Sequence, residues 1–449
     1  MSGRRIAFIG AGSTIFMRNI VGDALLTPAL ADSHFALMDI DTRRLAESQT
    51  VAEAMIKTVG TGATVSTHTN RRSALDGADF VVTAFQVGGY KPCTVTDFEI
   101  PKQYGLRQTI ADTLGVGGIM RALRTVPVLW DLAEDVAAVC PDALMMQYVN
   151  PMAINTWGLT ARYPQIKQVG LCHSVQNTVA ELAHDLDIPQ DRFRYRVAGV
   201  NHVAFFLRLE EALADGSHRE LYPLLRAGYE AGQLPKPPLL MPRCANKVRY
   251  EVMQHLGHFC TESSEHLAEY VPWFIKRGRE DLITEFSIPL DEYPTRCEEQ
   301  VAAWQAQAAD LQAAASINVT RSHEFAADIM NAIVSDQPYV AYGNLPNRGQ
   351  LPQLPDSAAV EGPCLVDANG IQPTVIDDIP PQLVALMRTQ INVQELTVRA
   401  LLDENPEHLV HAAMLDPHTA AELDLRQIRA LVTDLLRAHG EWVPAWARV

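Results

Sequence analysis

The sequence has no run of about 18 apolar residues, so it offers no candidate for a membrane-spanning helix. The apolar segment near its start, residues 6–9, is also too short for a signal peptide. Cysteine is scarce: there are seven, an odd number, spread from Cys93 to Cys364 without close pairing. Such spacing is unlike a disulfide framework. We therefore expect reduced thiols, a cytoplasmic location and no membrane partner.

Basic residues are outnumbered by acidic ones. The chain has 37 Lys and Arg against 53 Asp and Glu, which gives a formal net charge of −16 at pH 7. Nucleic acids and anionic membranes bind to clustered Lys and Arg, because those side chains replace the counterions of the polyanion. The acidic balance therefore argues against a nucleic-acid partner. A small ligand held by local backbone donors remains compatible with it.

The length of 449 residues exceeds the roughly 250–300 residues that one hydrophobic core usually serves. We therefore expect two parts, residues 1–200 and residues 201–449. Residues 344–362 are rich in Pro, Asn and Gly, and this composition predicts a long surface loop.

Strand and helix patterns alternate through residues 1–200. Short apolar runs at residues 6–9 and 34–38 are followed by helical periodicity, which is clearest at residues 42–59. This alternation is typical of right-handed βαβ units. It predicts an α/β fold with a Rossmann-like, doubly wound parallel sheet of the kind found in lactate and malate dehydrogenases. Residues 201–449 indicate a mixed α+β domain that is mostly helical.

A glycine-containing turn follows the first predicted strand. It lacks the third glycine of the GxGxxG pattern, because Ile15 stands there. Two glycines alone would also suit a tight turn in another α/β protein. Asp39, at the end of the second predicted strand, favours a dinucleotide, since a carboxylate there accepts hydrogen bonds from the ribose hydroxyls of NAD. We assign dinucleotide binding to the turn and this acid: Gly10, Gly12, Ser13, Thr14 and Asp39.

A cysteine and a histidine follow later predicted strands, about thirty residues apart. Cys172 and His202 would lie where an α/β sheet opens its ligand crevice. A thiolate and an imidazole can together bind a divalent metal and leave positions open for substrate oxygens. The same two residues would equally suit a buried thiol and a core histidine.

Three further segments carry polar residues that suit a ligand site. Asp112 and Arg121 flank three glycines and could fix the hydroxyls of a polar ligand, although a solvated glycine loop is the simpler interpretation. Asn150 presents an amide at the end of another predicted strand. Residues 262–270 concentrate titratable groups, which alone are typical of a solvated helix face.

These segments together resemble glycoside hydrolase family 4, a family of NAD- and metal-dependent glycosidases, and the likeness is greatest to its α-galactosidases. The resemblance runs along nearly the whole chain. It is carried by residues 8–14, 38–41, 84–90, 112–125, 148–152, 172–175, 199–202, 263–266, 364–370 and 416–419.

The resemblance implies a role for each site residue. Cys172 and His202 would be ligands of Mn²⁺ or another divalent metal, and Tyr270 would be the catalytic base. In members that act on 6-phospho-α-glucosides, the residue directly after the metal cysteine is an aspartate that serves as the general acid. This chain has His173 at that position. The general acid is therefore either His173 or Asp112. The residues expected at the substrate are Asn150, Asp112, Arg121 and His173, and Asn150 is also assigned to the cofactor.

The activity implied by the resemblance is hydrolysis of terminal α-galactosides by a homodimer or homotetramer. Hydride removal at C3 would precede deprotonation at C2, elimination and water addition. An α-glucosidase, α-galacturonidase or α-glucuronidase of the same family is the alternative. Outside the family, the first half would also suit an NAD-dependent 2-hydroxy-acid dehydrogenase or a non-enzymatic dinucleotide sensor.

Overall fold

The computed structural model describes residues 3–238, 245–313 and 317–449, and strands from both halves of the chain form one sheet. In this described part the strands are β1 (Arg5–Ile9), β2 (His34–Met38), β3 (Thr64–His68), β4 (Phe80–Thr83), β5 (Leu144–Gln147), β6 (Gln168–Gly170), β7 (Phe193–Val200), β8 (Val203–Ala212), β9 (His218–Glu220), β10 (Tyr339–Pro346), β11 (Ala359–Asp367) and β12 (Gly370–Pro373). Their order is β3-β2-β1-β4-β5-β6-β10-β11-β7-β8-β9, and β12 pairs with β11.

The first six strands are parallel and follow the Rossmann order, so the predicted doubly wound α/β fold is confirmed. The succession of strands reverses at β1, between β2 and β4. In open α/β sheets, ligands bind outside the carboxyl ends of the strands at such a reversal. The residues that follow β1, β2, β5 and β6 therefore lie at one edge of the sheet.

Antiparallel strands extend this sheet beyond β6. Strand β10 pairs with β6, and β11 pairs with β7, so two late strands separate β6 from β7. The prediction of a surface loop over residues 344–362 is wrong at both ends. Asn344 and Glu361 are buried strand residues, and the Asn344 amide donates to the Glu361 carboxylate at 3.2 Å. The polar residues pair with each other inside the sheet, which composition alone does not reveal.

Helices cover both faces of the sheet and build most of the second half. In the first half they are α1 (Thr14–Leu25), α2 (Thr42–Val59), α3 (Arg71–Leu75), α4 (Val95–Gln103), α5 (Gly115–Val139), α6 (Met152–Arg162) and α7 (Ser174–Leu186). In the second half they are α8 (Tyr222–Glu230), α9 (Lys247–Leu256), α10 (Ser264–Tyr270), α11 (Glu280–Glu285), α12 (Glu292–Ala313), α13 (Phe325–Ser335), α14 (Pro381–Asp403), α15 (Glu407–Leu415), α16 (Pro417–Glu422) and α17 (Leu425–His439).

The core lies on both faces of the sheet. Along β1, Ala7 and Ile9 join one buried cluster, while Ile6 and Phe8 join the other. Neighbouring side chains of a strand point to opposite faces, so a strand that is apolar throughout must be covered twice. No helix in the described ranges is long and apolar enough to cross a membrane.

Candidate active site

The glycine turn after β1 fits closely between β2 and β4. Gly10 has a φ of +92°, and a Cβ there would lie 2.5 Å from the carbonyl oxygen of Ala84. The amide of Gly12 donates to the Asp39 carboxylate at 2.7 Å, and a Cβ on Gly12 would meet the same carboxylate. Glycine is therefore required twice, and Asp39 braces the turn from the carboxyl end of β2.

Several amides of this turn already have acceptors within the protein. Those of Gly10 and Ala11 donate to the Met38 carbonyl at 2.9 Å each, and that of Ser13 donates to the Gly10 carbonyl at 3.0 Å. The first turn of α1 is therefore the nearest further source of backbone donors for an anion. Thr14 begins α1, but its side chain lies outside the described part of the structure.

Three potential metal ligands converge at the carboxyl edge of the sheet. Cys172 follows β6, His202 lies in the two-residue turn between β7 and β8, and Glu262 precedes α10. The Cys172 thiol lies 3.4 Å from Nε2 of His202 and 3.9 Å from Glu262, and the His202 and Glu262 atoms are 3.4 Å apart. Thiol, imidazole and carboxylate form a donor set that suits a divalent transition metal.

The protonation of Cys172 depends on its surroundings. Burial and the nearby carboxylates of Glu262 and Glu361 raise the pKa of the thiol to about 12. A metal ion in this cluster would supply the positive charge that the thiolate lacks, since metal-bound thiols are deprotonated. The metal-free protein therefore carries Cys172 as a thiol at neutral pH.

Tyr270 lies directly behind the histidine of this cluster. Its hydroxyl is 3.2 Å from Nδ1 of His202, and the two rings stack with centroids 6.3 Å apart. Burial and the carboxylates of Asp112, Glu269 and Glu262 hold the pKa of the phenol well above its usual value. Tyr270 is fully buried at the end of α10 and is a phenol unless a cation lies nearby.

Asp112 is the centre of a second polar group. Its carboxylate accepts from the Asn150 amide at 3.1 Å and lies 3.8 Å from Arg121 and 3.6 Å from His266. Burial opposes ionisation, but His266 and Arg121 outweigh it and hold the pKa of Asp112 below its usual range. The structure thus brings Asp112, Arg121 and Asn150 together as a carboxylate, a guanidinium and an amide.

The loop that carries Asp112 is fixed from two sides. Glu269 of α10 accepts hydrogen bonds from the amides of Thr109, Ile110 and Ala111, the shortest at 2.8 Å. On the other side, a Cβ added to Gly117 of α5 would lie 2.3 Å from the Ala111 carbonyl oxygen. The glycines after Asp112 therefore allow the loop to lie directly on α5.

His173 is held by a buried carboxylate. Its Nε2 lies 2.7 Å from Glu324, which precedes α13, and its ring packs against Phe16 and Tyr148. Burial lowers the pKa of the imidazole, but the Glu324 hydrogen bond and charge outweigh burial and raise it to about 9. His173 is therefore an imidazolium with about a third of its side chain exposed.

Sequence reasoning missed several residues around the site. Glu262, His266 and Glu269 belong to the titratable run of residues 262–270 but received no role, and Glu324 reaches His173 only through the fold. The interpretation of residues 262–270 as a solvated helix face is wrong, because every residue of α10 is buried. The signals toward the first three were the titratable run itself and the resemblance over residues 263–266, and Glu324 had none.

Fold and site define the class of this protein. It is a Rossmann-fold protein whose sheet carries, at the carboxyl ends of its parallel strands, a glycine turn and a thiol–imidazole–carboxylate cluster with a buried tyrosine behind it. Its sequence matches the family 4 glycosyl hydrolases over residues 5–188 and the family 4 glycosyl hydrolase C-terminal domain over residues 197–419. The chain belongs to family 4 of the glycosyl hydrolases, as its motifs predicted, and its substrate class is therefore a glycoside.

Relatives and a solved structure agree with this assignment along the full length. The α-galactosidase of Bacillus subtilis is 45% identical over 443 residues, which cover 99% of this chain and 100% of the relative. The α-galactosidase of Rhizobium meliloti is 30% identical over an alignment of 456 positions, which covers 100% of this chain and 90% of the relative. A 6-phospho-α-glucosidase from gut microorganisms, solved in complex with NAD and Mn²⁺, shares the fold with a TM-score of 0.82, 18% identity and coverage of 98% and 99%.

Proposed function

We propose that this protein is an α-galactosidase that hydrolyses terminal α-galactosides with bound NAD⁺ and Mn²⁺ or another divalent metal. The observation that carries the proposal is the meeting of Cys172, His202 and Tyr270 at the edge of the sheet that also carries the glycine turn. The two α-galactosidases at 45% and 30% identity support the choice of sugar.

The two bound groups supply chemistry that side chains lack. When bound, NAD⁺ offers a reversible hydride acceptor for C3 of the galactose ring, and the metal offers a Lewis acid for the adjacent sugar hydroxyls. Cys172 and His202 would hold the metal. The dinucleotide would be held by the turn of Gly10, Gly12 and Ser13, by Thr14, by Asp39 at the ribose, and by Asn150.

Tyr270 is the base in this proposal and removes the C2 proton that a C3 ketone makes acidic. Nε2 of His202 faces the Cys172 thiol, so the proton of a neutral imidazole is assigned to Nδ1. From there it donates to the Tyr270 oxygen at 3.2 Å. Burial alone would disfavour a phenolate at Tyr270. The hydrogen bond from His202 stabilises the phenolate, because a donated hydrogen bond favours the charged form of its acceptor.

His173 is the general acid in this proposal. The structure surrounds Asp112 with Arg121, His266 and Asn150, all of which favour a carboxylate that has no proton to give. His173 has the opposite environment, because Glu324 favours its protonated form. We assign proton donation to the aglycone oxygen to His173, and the binding of sugar hydroxyls to Asp112, Arg121 and Asn150.

The charges around the site favour a neutral sugar over a uronate or a 6-phosphate. Arg121 lies 3.8 Å from Asp112 and donates to the hydroxyl of Tyr293. Arg296 lies 3.2 Å from Glu265 of α10 and 3.3 Å from Glu292, the first residue of its own helix α12. Each guanidinium is already matched by a carboxylate, so an anionic sugar would have to displace an existing pair.

An assay across sugars and cofactors tests the proposal. We expect turnover of p-nitrophenyl α-galactoside above the glucoside, galacturonide and 6-phosphate analogues, and loss of turnover when NAD⁺, Mn²⁺ or reductant is omitted. No net NADH should accumulate, since the hydride returns to the sugar. Stoichiometric NADH formation from a hydroxy acid, unaffected by chelator, would instead indicate a dehydrogenase. Binding of NAD⁺ without turnover of any glycoside would indicate a dinucleotide sensor.

Location, assembly and domain division complete the proposal. A cytoplasmic location suits a site that needs a reduced Cys172. Residues 1–200 would bind the cofactor, and residues 201–449 would help enclose the sugar. A homodimer or homotetramer is the assembly that the family resemblance implies, and it remains part of this proposal.

A further inference from the structure

We propose that Glu262 is a third protein ligand of the divalent metal, so that the chain binds the ion before any sugar arrives. This inference rests on the proposed function, because it adds a carboxylate to the site assigned to Cys172 and His202. Among the described residues, these three form the group of potential ligand atoms that lie within 4.8 Å of one another.

The spacing of the three atoms supports shared ligation. They form a triangle with sides of 3.4, 3.4 and 3.9 Å. Metal–ligand bonds of about 2.0–2.3 Å that meet at octahedral or tetrahedral angles place neighbouring ligand atoms roughly 3–4 Å apart. One ion can therefore contact all three side chains without any of them moving far.

The two carboxylate oxygens of Glu262 have different surroundings. Oε1 lies 3.9 Å from Nδ1 of His266, but that nitrogen is already 2.9 Å from the Ser263 hydroxyl. The contact with His266 is too long for a hydrogen bond, and Nδ1 of His266 already has Ser263 as its partner. This contact therefore does not explain the position of Glu262. Oε2 is the atom that points at both Cys172 and His202.

The backbone also indicates a functional role for this residue. Glu262 has a φ of +67° and His202 a φ of +66°, although neither is a glycine. Non-glycine residues are strained in this left-handed region and collect at functional sites. Two members of one three-residue cluster share this conformation, and in each case the conformation accompanies a side chain directed into the cluster.

Charge balance gives the carboxylate a purpose. A thiolate and a carboxylate carry two negative charges, which match a divalent cation, whereas Cys172 and a neutral His202 alone leave one positive charge unmatched. Without the metal, Glu262 lies beside a thiol and an imidazole, with 17% of its side chain exposed. The inference therefore predicts firm metal binding in the absence of substrate.

The test is the affinity of the full-length protein for Mn²⁺ alone, measured by electron paramagnetic resonance of the free ion. We expect Glu262→Gln to weaken binding at least about tenfold, since even residues that only support metal ligands typically contribute 10–100-fold. NAD⁺ affinity should be unchanged and should verify folding. The matched control is Glu265→Gln, whose buried carboxylate faces Arg296 at 3.2 Å and not the cluster, so the Mn²⁺ affinity should be unchanged.

Cys172→Ser separates this inference from the proposed function. If Cys172→Ser weakens Mn²⁺ binding and Glu262→Gln does not, Glu262 is no ligand and the two-ligand site stands. If Cys172→Ser binds Mn²⁺ like the unmodified protein, the proposed metal site itself is wrong. In Co²⁺-loaded protein, Glu262→Gln should retain thiolate-to-metal charge-transfer absorption while the d–d bands change. Unchanged d–d bands would also overturn the inference.

Discussion

At the scale of single residues, His202 connects the two halves of the proposed chemistry. One ring nitrogen faces Cys172 and Glu262, and the other faces Tyr270. A histidine can serve two partners in this way because its two nitrogens are distinct and the proton on one fixes the role of the other. Metal binding and deprotonation of the tyrosine are therefore linked through one imidazole.

Proton release gives a first prediction. Because the pKa of the Cys172 thiol is raised to about 12, the thiol stays protonated at neutral pH and must lose its proton when a metal binds. Metal affinity should then rise with pH, by about tenfold per pH unit between roughly pH 6.5 and 8. Isothermal titration calorimetry in buffers of different ionisation enthalpy measures the released proton directly. A pH-independent affinity would contradict thiolate ligation.

A second prediction concerns the base. Tyr270→Phe keeps the ring that packs against His202 and removes only the hydroxyl at 3.2 Å from Nδ1. We expect kcat to fall by 10²–10⁴-fold, the usual contribution of a general base, and exchange of the substrate C2 hydrogen with deuterated solvent to stop. NMR of the recovered substrate measures the exchange. Exchange at the unmodified rate would remove Tyr270 from this role.

The residues found from sequence and those missed differ in one physical respect. Cys172 and Asp39 follow apolar strands, and the carboxyl ends of parallel strands lie at one edge of the sheet, so the pattern alone places both residues at that edge. Glu262 and Glu324 lie before helices of the second half. Their approach to the site depends on how that half packs, and no periodicity encodes it.

At the scale of elements, the loop of residues 109–114 is held between α10 and α5. Gly117→Ala would place a Cβ 2.3 Å from the Ala111 carbonyl oxygen and push the loop, and Asp112 with it, away from α5. We expect a loss of about 1–3 kcal/mol of stability, typical of overpacking, and a raised KM for the sugar. Denaturant unfolding and steady-state kinetics measure both. In contrast, Gly362→Ala meets open space and should change neither.

Elements of the parallel sheet were well predicted, and those of the antiparallel extension were not. Helix α2 and strand β2 have the bounds expected from the sequence pattern. Strands β10 and β11 were not predicted, because residues 344–362 combine turn-forming residues with polar ones and this composition is typical of a loop. The Asn344 amide donates to the Glu361 carboxylate inside the sheet, and this pairing joins residues 17 positions apart.

At the scale of the whole molecule, the sheet joins both proposed parts, because β10 pairs with β6 and β11 with β7. We predict one cooperative thermal transition by calorimetry and by far-UV circular dichroism. NAD⁺ at 100 times its Kd should add about 2.7 kcal/mol and move the entire transition. Two separate peaks, with only one shifted by NAD⁺, would show that residues 1–200 unfold on their own.

The position of β10 and β11 also has a consequence for synthesis of the chain. Strands β6 and β7 are complete when residue 200 has been made, yet β10 and β11, the two strands that lie between them in the sheet, end only at Pro346 and Asp367. At about 5–20 residues per second, the ribosome needs roughly ten to thirty seconds to add them. During that interval the nascent chain exposes an unpaired edge of β6, so this edge is where we expect chaperones to bind.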